Sequence, residues 1–312
     1  MLDFEDTYRD CEKSTSMKVI QLIDSVSTQF TDAGLVFGHG TDNANDEAFY
    51  LVTSVLDIPH DEAGLHFDRE VLGEDIKRIE EFVIRRIKDR VPVAYLVNRA
   101  WFAGLEFFVD DRVLVPRSPL AELILKRFSP WKEQGTIHRI LDLGTGSGCI
   151  AVAAATAIAE ALVDAVDISE DALEVAAINI KNCGVSERVR LIQSDFFVNV
   201  PEVFYDIIIS NPPYVSEIEM SELAPEYRQE PVIGLAAGSD GLKSVLSILH
   251  DASNFLANDG ILVIEVGNSQ DTLESYLPDV AFTWLELELG GEGVFLLNKE
   301  DLVTHQSKFK VK

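Results

Sequence analysis

The sequence contains few cysteines, and this shortage excludes two kinds of structure. Its 312 residues include three cysteines, Cys11, Cys149 and Cys183, which lie far apart and form no C-x-x-C pair. An odd, scattered set of thiols argues against a disulfide framework and against a zinc site, and it is typical of the reducing cytoplasm. The six histidines are scattered as well. We therefore expect a cytoplasmic protein without a metal centre.

Positive charge is also scarce. Lysine and arginine total 26 against 53 aspartates and glutamates, so the formal net charge is −27. Because neutralisation of phosphates dominates binding to nucleic acid, we expect no direct nucleic-acid binding unless a local basic groove exists. A basic protein partner fits better, since complementary fields steer encounter. An acidic surface that serves only solubility explains the charge as well.

Long apolar runs are missing too. The longest apolar stretch, residues 149–163, is rich in alanine and is interrupted by Glu160, whereas a membrane-spanning helix needs about 20 apolar residues. We therefore expect no membrane segment. The chain is 47% hydrophobic and 25% charged, as in ordinary globular proteins, and its length is sufficient for two domains.

The first part of the chain shows helical periodicity. In residues 74–90, apolar side chains recur every three or four positions and charged ones fill the rest, which is the pattern of an amphipathic helix. The helix is expected to end at Val91-Pro92. Alternating apolar residues between 101 and 116, centred on Asp110-Asp111, then predict a β-hairpin.

From residue 137 onward, predicted strands alternate with predicted helices, which is typical of a parallel sheet covered on both faces. Strands are predicted at 138–143, 162–167, 189–193, 205–210 and 260–266, followed by an antiparallel pair at 282–286 and 293–297. We expect three parts: a helical domain over residues 1–98, a β-hairpin linker over 99–117 and a doubly wound α/β domain over 118–312.

A glycine-rich loop follows the first strand of the α/β domain. Its candidate ligand-binding residues are Asp142, Gly144, Thr145, Gly146, Ser147 and Gly148. The spacing G-x-G-x-G is not the dinucleotide fingerprint, because the sixth position is Cys149, and the phosphate loop with its lysine is absent. Ligands of such sheets lie at the carboxyl ends of the strands. Glycines without a phosphate cradle suit a ligand whose adenosine and amino-acid parts approach the backbone closely.

Two aspartates end the next two strands. Asp167, followed by Ile168, is placed to accept hydrogen bonds from both hydroxyls of a ribose. Asp195 is placed to accept from the adenine amino group, with Phe196 against the ring. Asp142 either orients the loop or holds the amino group of the ligand. The competing interpretation, a tight turn without a ligand, is disfavoured by carboxylates at two successive strand ends.

The motif Asn211-Pro212-Pro213-Tyr214 follows the fourth strand. An amide nitrogen is a poor nucleophile, because its lone pair is delocalised into the carbonyl. The Asn211 side-chain oxygen and the Pro212 carbonyl can accept both N–H bonds, which orients the nitrogen and stabilises developing positive charge. Pro212 and Pro213 stiffen the loop, and Tyr214 offers a flat wall. Together with the glycine loop, this motif predicts methyl transfer from S-adenosylmethionine to nitrogen, whereas alone it is also typical of a simple turn.

The chain resembles the HemK-type protein-(glutamine-N5) methyltransferases over almost its whole length. The matching segments are 92–96, 102–104, 113–117, the glycine loop, 211–214, 230–231 and 238–242. The resemblance implies a Rossmann-like seven-stranded S-adenosylmethionine-dependent domain behind a small helical domain and a β-hairpin. It implies that residues 211–214 hold the substrate glutamine and that the loop, Asp167 and Asp195 with Phe196 hold the cofactor. Arg117 and Phe102 would border the substrate, with a hinge or packing role as the alternative for each.

The family has two common branches, which differ after the hairpin. The release-factor branch carries Pro-Arg-Pro-Glu-Thr-Glu, whereas this chain has Arg117-Ser118-Pro119-Leu120 after Pro116. Together with the segment 38–43, this sequence resembles the branch that methylates a glutamine of large-subunit ribosomal protein L-3. Such a partner is basic, which suits the net charge of −27. The alternatives are glutamine methylation of release factors, methylation of adenine or cytosine amino groups, which requires extruding the base, and a non-catalytic ribosome-assembly module.

Overall fold

The computed structural model describes residues 16–133, 135–288 and 290–310. Cys11 lies outside the described residues. The chain forms two compact units, the first ending at Val97 and the second beginning at Asn98. The predicted hairpin linker, residues 99–117, therefore belongs to the second unit. Within the described ranges, no helix is both long enough and apolar enough to cross a membrane.

The first unit is mainly helical. Its elements are β1 (Met17–Lys18), α1 (Val19–Asp32), α2 (Ala44–Val55), a 3₁₀ segment (His60–His66), β2 (Glu70–Val71), α3 (Gly73–Lys88) and α4 (Val93–Val97). The predicted amphipathic helix is α3, which buries Ile79 and Val83. It also buries Arg86, whose Nε lies 2.9 Å from a carboxylate oxygen of Glu47 on α2. A charge inside the core is tolerated because it is paired.

The second unit contains the predicted α/β domain. Its elements are β3 (Ala100–Phe102), β4 (Leu105–Phe107), α5 (Leu120–Leu125), β5 (Arg139–Leu143), α6 (Cys149–Ala157), β6 (Leu162–Asp167), α7 (Glu170–Asn182), β7 (Val189–Gln193), β8 (Tyr205–Ser210), α8 (Glu217–Glu222), α9 (Val232–Leu235), α10 (Lys243–Phe255), β9 (Leu256–Glu265), α11 (Gln270–Tyr276), β10 (Thr283–Trp284), β11 (Val294–Asn298) and α12 (Lys299–His305). Short 3₁₀ segments lie at Tyr227–Gln229, Gly267–Ser269 and Gln306–Lys308.

Seven strands form one sheet in the order β10-β11-β9-β8-β5-β6-β7. The strands β9, β8, β5, β6 and β7 pair in parallel, and β11 and β10 add an antiparallel edge. The seven-stranded doubly wound fold expected from the sequence is confirmed. Chain order reverses at β5, because β6 lies on one side of it and β8 on the other, and such a switch point is where ligands bind.

The sheet is buried on both faces, which explains its apolar strands. Ile207 and Ile209 of β8 pack in one hydrophobic cluster, whereas Ile208, between them, packs in a second cluster. Successive side chains of a strand point to opposite faces. A strand covered on both faces therefore appears in the sequence as a continuous apolar run, as residues 207–209 do.

The hairpin differs from the prediction in the position of its turn. The strands β3 and β4 pair Phe102 with Leu105, so the turn is Ala103-Gly104 and not Asp110-Asp111. Ala103 has φ +51° and Gly104 has φ +77°, and two positive φ values suit the twist of a two-residue hairpin. Asp110 instead begins a separate turn, accepting from the Val113 N–H at 3.2 Å.

Candidate active site

The carboxyl ends of the parallel strands bring the predicted site residues to one edge of the sheet. The glycine loop follows β5, Asp167 ends β6, and Asp195 and Phe196 come just after β7. Asn211 follows β8, which pairs directly with β5. A hydrogen bond of 2.6 Å from the Ser210 hydroxyl to the Leu143 carbonyl joins the ends of these two strands. The start of the motif 211–214 is therefore fixed beside the start of the glycine loop.

The glycine loop exposes backbone to open space. Gly144 has φ +72° and Gly146 has φ +53°, and a Cβ added at either position would meet no atom within 4 Å. The N–H groups of Gly144 and Thr145 both donate to the Val166 carbonyl at 2.8 Å, which holds the loop to β6. The backbone is thus fixed and still approachable, as a close-lying ligand requires.

Gly148 has a different role in the loop. It is the N-cap of α6 with φ +79°, and an added Cβ would lie 3.1 Å from the Ala176 side chain. The absence of a side chain therefore permits α6 and α7 to pack closely. The structure indicates a packing reason for this glycine, whereas Gly144 and Gly146 face open space.

Asp142 is a completely buried carboxyl group under the loop. Its Oδ2 accepts from the Thr145 hydroxyl at 2.6 Å and from the Ala151 N–H at 3.1 Å, so it orients the loop. Its Oδ1 is buried and has no hydrogen-bond partner. Burial raises the pKa of Asp142 to about 7, against the lowering effect of these hydrogen bonds. A buried acceptor without a donor fits a cofactor that brings one, such as an amino group.

Asp167 connects the loop to the next helix. Its Oδ2 accepts from the Gly146 N–H and its Oδ1 from the Ser169 N–H, both at 2.9 Å. Burial raises the pKa of Asp167, although these backbone hydrogen bonds act in the opposite direction. Each carboxylate oxygen can accept a second hydrogen bond, so the group suits a pair of ribose hydroxyls. The neighbouring Ile168 is 49% exposed and offers apolar surface beside it.

The turn after β7 is held in an unusual conformation. Phe196 has φ +44°, which is costly for a bulky residue and is typical of functional sites. The Ser194 N–H donates to the Asp167 carbonyl at 2.9 Å, so this turn is tied to the end of β6. Asp195 is exposed, as expected of a hydrogen-bond acceptor for the adenine amino group. Phe196 is half-buried, as expected of a side chain that packs against the adenine ring.

Tyr214 is fixed at its backbone and at its ring. Its carbonyl accepts from the Ser269 hydroxyl at 2.8 Å. Its hydroxyl donates to Glu265 Oε1 over a long 3.4 Å, and Glu265 Oε2 accepts from the Ser118 hydroxyl at 2.5 Å. Burial raises the pKa of Tyr214, and the charge of Glu265 adds to the effect. The sequence analysis assigned no role to Glu265 or to Ser118. For Glu265, an acid that ends an apolar strand was the available signal.

Arg117 is engaged by another residue that the sequence analysis missed. Its Nη1 and Nη2 donate to the two carboxylate oxygens of Glu230 at 2.6 and 2.5 Å, and Glu230 also accepts from the Val115 N–H at 3.0 Å. Burial disfavours the charge on Arg117, but Glu230 outweighs burial and the pKa is raised. This bidentate pair ties the segment before α5 to the segment before α9. The ion pair favours the hinge or packing alternative for Arg117, and the expected substrate contact stays a prediction.

Phe102 also has a structural role. It is buried in the same cluster as β5 and α6, and its ring meets that of Phe107 edge to face at 6.5 Å between centroids. This burial favours the packing alternative for Phe102. The expected substrate contact stays a prediction.

Asn179 was not identified from the sequence, yet it supports the glycine loop. It is completely buried on α7. Its Nδ2 donates to the Ser147 carbonyl at 2.8 Å and to the Phe108 carbonyl at 2.9 Å, while its Oδ1 accepts from the Phe108 N–H at 2.7 Å. One amide thereby joins the loop to the chain after the hairpin. A polar residue between Ile178 and Ile180 was the available signal.

Over the described parts of the chain, no group of three or more His, Cys, Asp or Glu side chains is arranged to hold a metal. Cys149 is buried among apolar residues, and both it and Cys183 are free thiols. The acidic groups of the site are Asp142 and Glu265, which are buried, Asp167, which is half-buried, and Asp195, which is exposed. Asp142, Asp167 and Asp195 fit S-adenosylmethionine, whose adenosine and amino groups supply hydrogen-bond donors.

Two family models match the chain. The model described as Methyltransferase small domain matches residues 121–226, and the model described as PrmC N-terminal domain matches residues 22–97. Among solved structures, the ribosomal protein L11 methylase of Lactobacillus delbrueckii subsp. bulgaricus is 21% identical with a TM-score of 0.40, covering 57% of this chain and 77% of that one. A methyltransferase of Pyrococcus furiosus is 17% identical with a TM-score of 0.46, covering 73% and 99%.

Sequence relatives are much closer than these structures. The ribosomal protein uL3 glutamine methyltransferase of Francisella tularensis subsp. tularensis is 43% identical over 284 residues, covering 91% of this chain and 90% of the relative. The protein of the same name from Neisseria gonorrhoeae is 45% identical over 278 residues, covering 88% and 92%. The chain therefore belongs to the HemK-type family of glutamine methyltransferases, whose methyl donor is S-adenosylmethionine.

Proposed function

We propose that this enzyme methylates the side-chain amide nitrogen, N5, of a glutamine in ribosomal protein uL3, the large-subunit protein L-3. The observation that carries the proposal is the position of the motif 211–214, which the Ser210–Leu143 hydrogen bond holds beside the glycine loop. The names of relatives at 43% and 45% identity support uL3 as the substrate. The net charge of −27 suits a basic ribosomal protein.

The acceptor amide is bound through both of its hydrogens. The Asn211 side-chain oxygen and the Pro212 carbonyl accept them, and the Tyr214 ring bounds the planar group. This arrangement directs the nitrogen lone pair toward the donor and stabilises the positive charge that develops on nitrogen. As the new nitrogen–carbon bond forms, the bond between the methyl carbon and the donor sulfur would break, its electron pair would stay on sulfur as a neutral thioether, and the amide would release one proton to water. Alignment of this kind supplies up to about 7–11 kcal/mol of the barrier reduction.

The cofactor is held by the residues that follow β5, β6 and β7. When bound, S-adenosylmethionine supplies an electrophilic methyl carbon on a positively charged sulfur. Asp167 accepts from the ribose, Asp195 and Phe196 receive the adenine, and Asp142 accepts from the amino group with its unpartnered Oδ1. The loop residues Gly144, Thr145, Gly146 and Ser147 supply the backbone, Gly148 permits α6 to begin close against α7, and Ile168 packs beside the ribose. Because the proposed substrate is a ribosomal protein, we infer that the reaction takes place in the cytoplasm.

The decisive experiment is methyl transfer from radiolabelled S-adenosylmethionine to purified substrates. We expect transfer to uL3, at a single glutamine located by mass spectrometry, and no transfer to a uL3 variant in which that glutamine is alanine. Release factor and a DNA duplex are supplied as alternative methyl acceptors, each in a separate reaction. Transfer to release factor alone would show that uL3 is the wrong substrate. Transfer to DNA would show that the enzyme does not methylate protein glutamine.

A further inference from the structure

Glu265 is a buried acid to which the proposed methyl transfer assigns no role. It is the last residue of β9 and is 4% exposed. β9 lies beside β8 with Ile264 opposite Ser210, so Glu265 emerges next to the start of the motif 211–214. Burying a carboxyl group is costly unless it is hydrogen-bonded. Its partners therefore indicate what it does.

Those partners are two hydroxyl groups from distant parts of the chain. Glu265 Oε2 accepts from Ser118 at 2.5 Å, and Oε1 accepts from Tyr214 at 3.4 Å. Arg117, next to Ser118, also acts on Glu265 electrostatically, while its guanidinium is bound by Glu230. The carboxyl group thus connects the Tyr214 ring to a segment that an ion pair already fixes.

The Tyr214 ring also lies against backbone. Gly267 has φ +46°, and a Cβ added there would lie 2.7 Å from the ring atom Cε2 and 3.2 Å from the hydroxyl. At the other end of the residue, a Cβ on Gly241 would lie 2.5 Å from the Tyr214 carbonyl oxygen. The ring therefore occupies a slot with a glycine backbone on one side and the Glu265 carboxyl group at its tip.

We propose that Glu265 is a positioning residue for methyl transfer: with Ser118 and Gly267 it holds the Tyr214 ring in the orientation that bounds the acceptor amide. This inference rests on the proposed function. Glu265 acts through Tyr214 and does not touch the substrate, so its contribution depends on the tyrosine hydroxyl. A misplacement of the ring by about 1 Å costs roughly 100-fold in rate when alignment is the main source of catalysis.

The test is a double-mutant cycle on full-length enzyme with Glu265→Gln, Tyr214→Phe and the double variant. We expect Glu265→Gln to lower kcat on uL3 about 10-fold while the Kd of S-adenosylmethionine stays unchanged. In the Tyr214→Phe background the same substitution should cost at least about twofold less, because the hydroxyl it acts on is gone. Glu300→Gln, an exposed glutamate on α12, is the matched control and should change nothing. Ser118→Ala should also lower kcat, by a smaller factor than Glu265→Gln.

A second measurement needs no substrate. In enzyme with isotope-labelled tyrosine rings, the Tyr214 nuclear magnetic resonance signal is assigned by its loss in Tyr214→Phe. We expect Glu265→Gln to shift that signal and to speed flipping of the ring. Equal kcat losses in both tyrosine backgrounds, or an unchanged ring signal, would overturn the inference. If wild-type enzyme leaves uL3 unmethylated while the ring signal responds, the proposed substrate fails and the fixed ring stands.

Discussion

The two halves of the active site differ in how far apart their residues lie in the sequence. In the cofactor half, the loop 144–148 is supported by Asp142 and Asp167, which lie at the carboxyl ends of β5 and β6. In the acceptor half, Tyr214 depends on Ser118 and Glu265. The first set is local to one β-α-β unit, whereas the second is assembled by the sheet order that puts β9 beside β8. Local sets can be recognised as motifs, and assembled sets require the fold.

If the two halves are separate, changes in the acceptor half alter kcat, and changes in the cofactor half alter the Kd of S-adenosylmethionine. Replacement of Asn211 provides the strongest test. We expect Asn211→Ala to lower kcat about 100- to 1,000-fold, because it removes one of the two acceptors that orient the amide. The Kd of S-adenosylmethionine should stay within error of wild type. Initial rates of uL3 methylation and calorimetric cofactor binding measure the two quantities.

A matched control is Asn254→Ala, an exposed asparagine on α10, which should leave both quantities unchanged. Loss of cofactor affinity in Asn211→Ala with an intact maximal rate would move Asn211 into the cofactor half.

The reciprocal change is made in the cofactor half. We expect Asp167→Ala to raise the Kd of S-adenosylmethionine about 10- to 100-fold, the effect of removing hydrogen bonds to a charged group. At saturating cofactor, kcat should fall much less than in Asn211→Ala. Asp171→Ala, which removes an exposed aspartate in the first turn of α7, is the control for charge. An unchanged Kd would remove Asp167 from the ribose site.

The sequence predicted the sheet well because burial on both faces leaves a direct mark. β6, β7 and β8 begin and end where the apolar runs predicted them. The hairpin turn was misplaced because Asp110-Asp111 is chemically typical of a turn, whereas Ala103 reveals nothing about its positive φ. Candidate site residues could be named from the sequence where a polar residue coincides with a strand end, and the structure places Asp167 and Asn211 at the carboxyl ends of β6 and β8.

The roles of Arg117 and Phe102 were not predictable for a different reason. Each lies at a position the family resemblance marks as important, but residue type alone does not distinguish a substrate contact from a structural one. Only the position of Glu230, more than a hundred residues further along the chain, makes Arg117 an ion-pair residue. Only the packing of β4 makes Phe102 a core residue.

Asn179 joins the cofactor half to the chain after the hairpin, so its replacement measures how local that half is. We expect Asn179→Ala to lower the free energy of unfolding by about 1–3 kcal/mol, because it leaves the Ser147 carbonyl and both backbone groups of Phe108 without partners. The Kd of S-adenosylmethionine should rise less than in Asp167→Ala. Denaturant unfolding and calorimetry check the two effects against Asn182→Ala, an exposed residue of the same helix. Unchanged stability would show that water replaces the amide.

The smallest expected effect is a change in how stability depends on pH. Burial raises the pKa of Asp142 from 3.8 to about 7, so the folded state binds this proton more tightly than the unfolded chain. The stability from this group is complete below about pH 4 and is lost as the pH rises through 7. Glu265, whose pKa burial raises to about 7, adds a loss of the same sign. Asp142→Asn has no titrating group at this position, so its stability does not fall for this reason as the pH rises. The Tm of the variant minus that of wild type, both without cofactor, should therefore increase between about pH 5 and pH 8, by roughly 2–4 °C for each kcal/mol of unfolding free energy that wild type loses. Parallel Tm curves for the two proteins would mean that Asp142 ionises as it does in water, and the unpartnered oxygen under the loop would then be hydrated and not reserved for the cofactor.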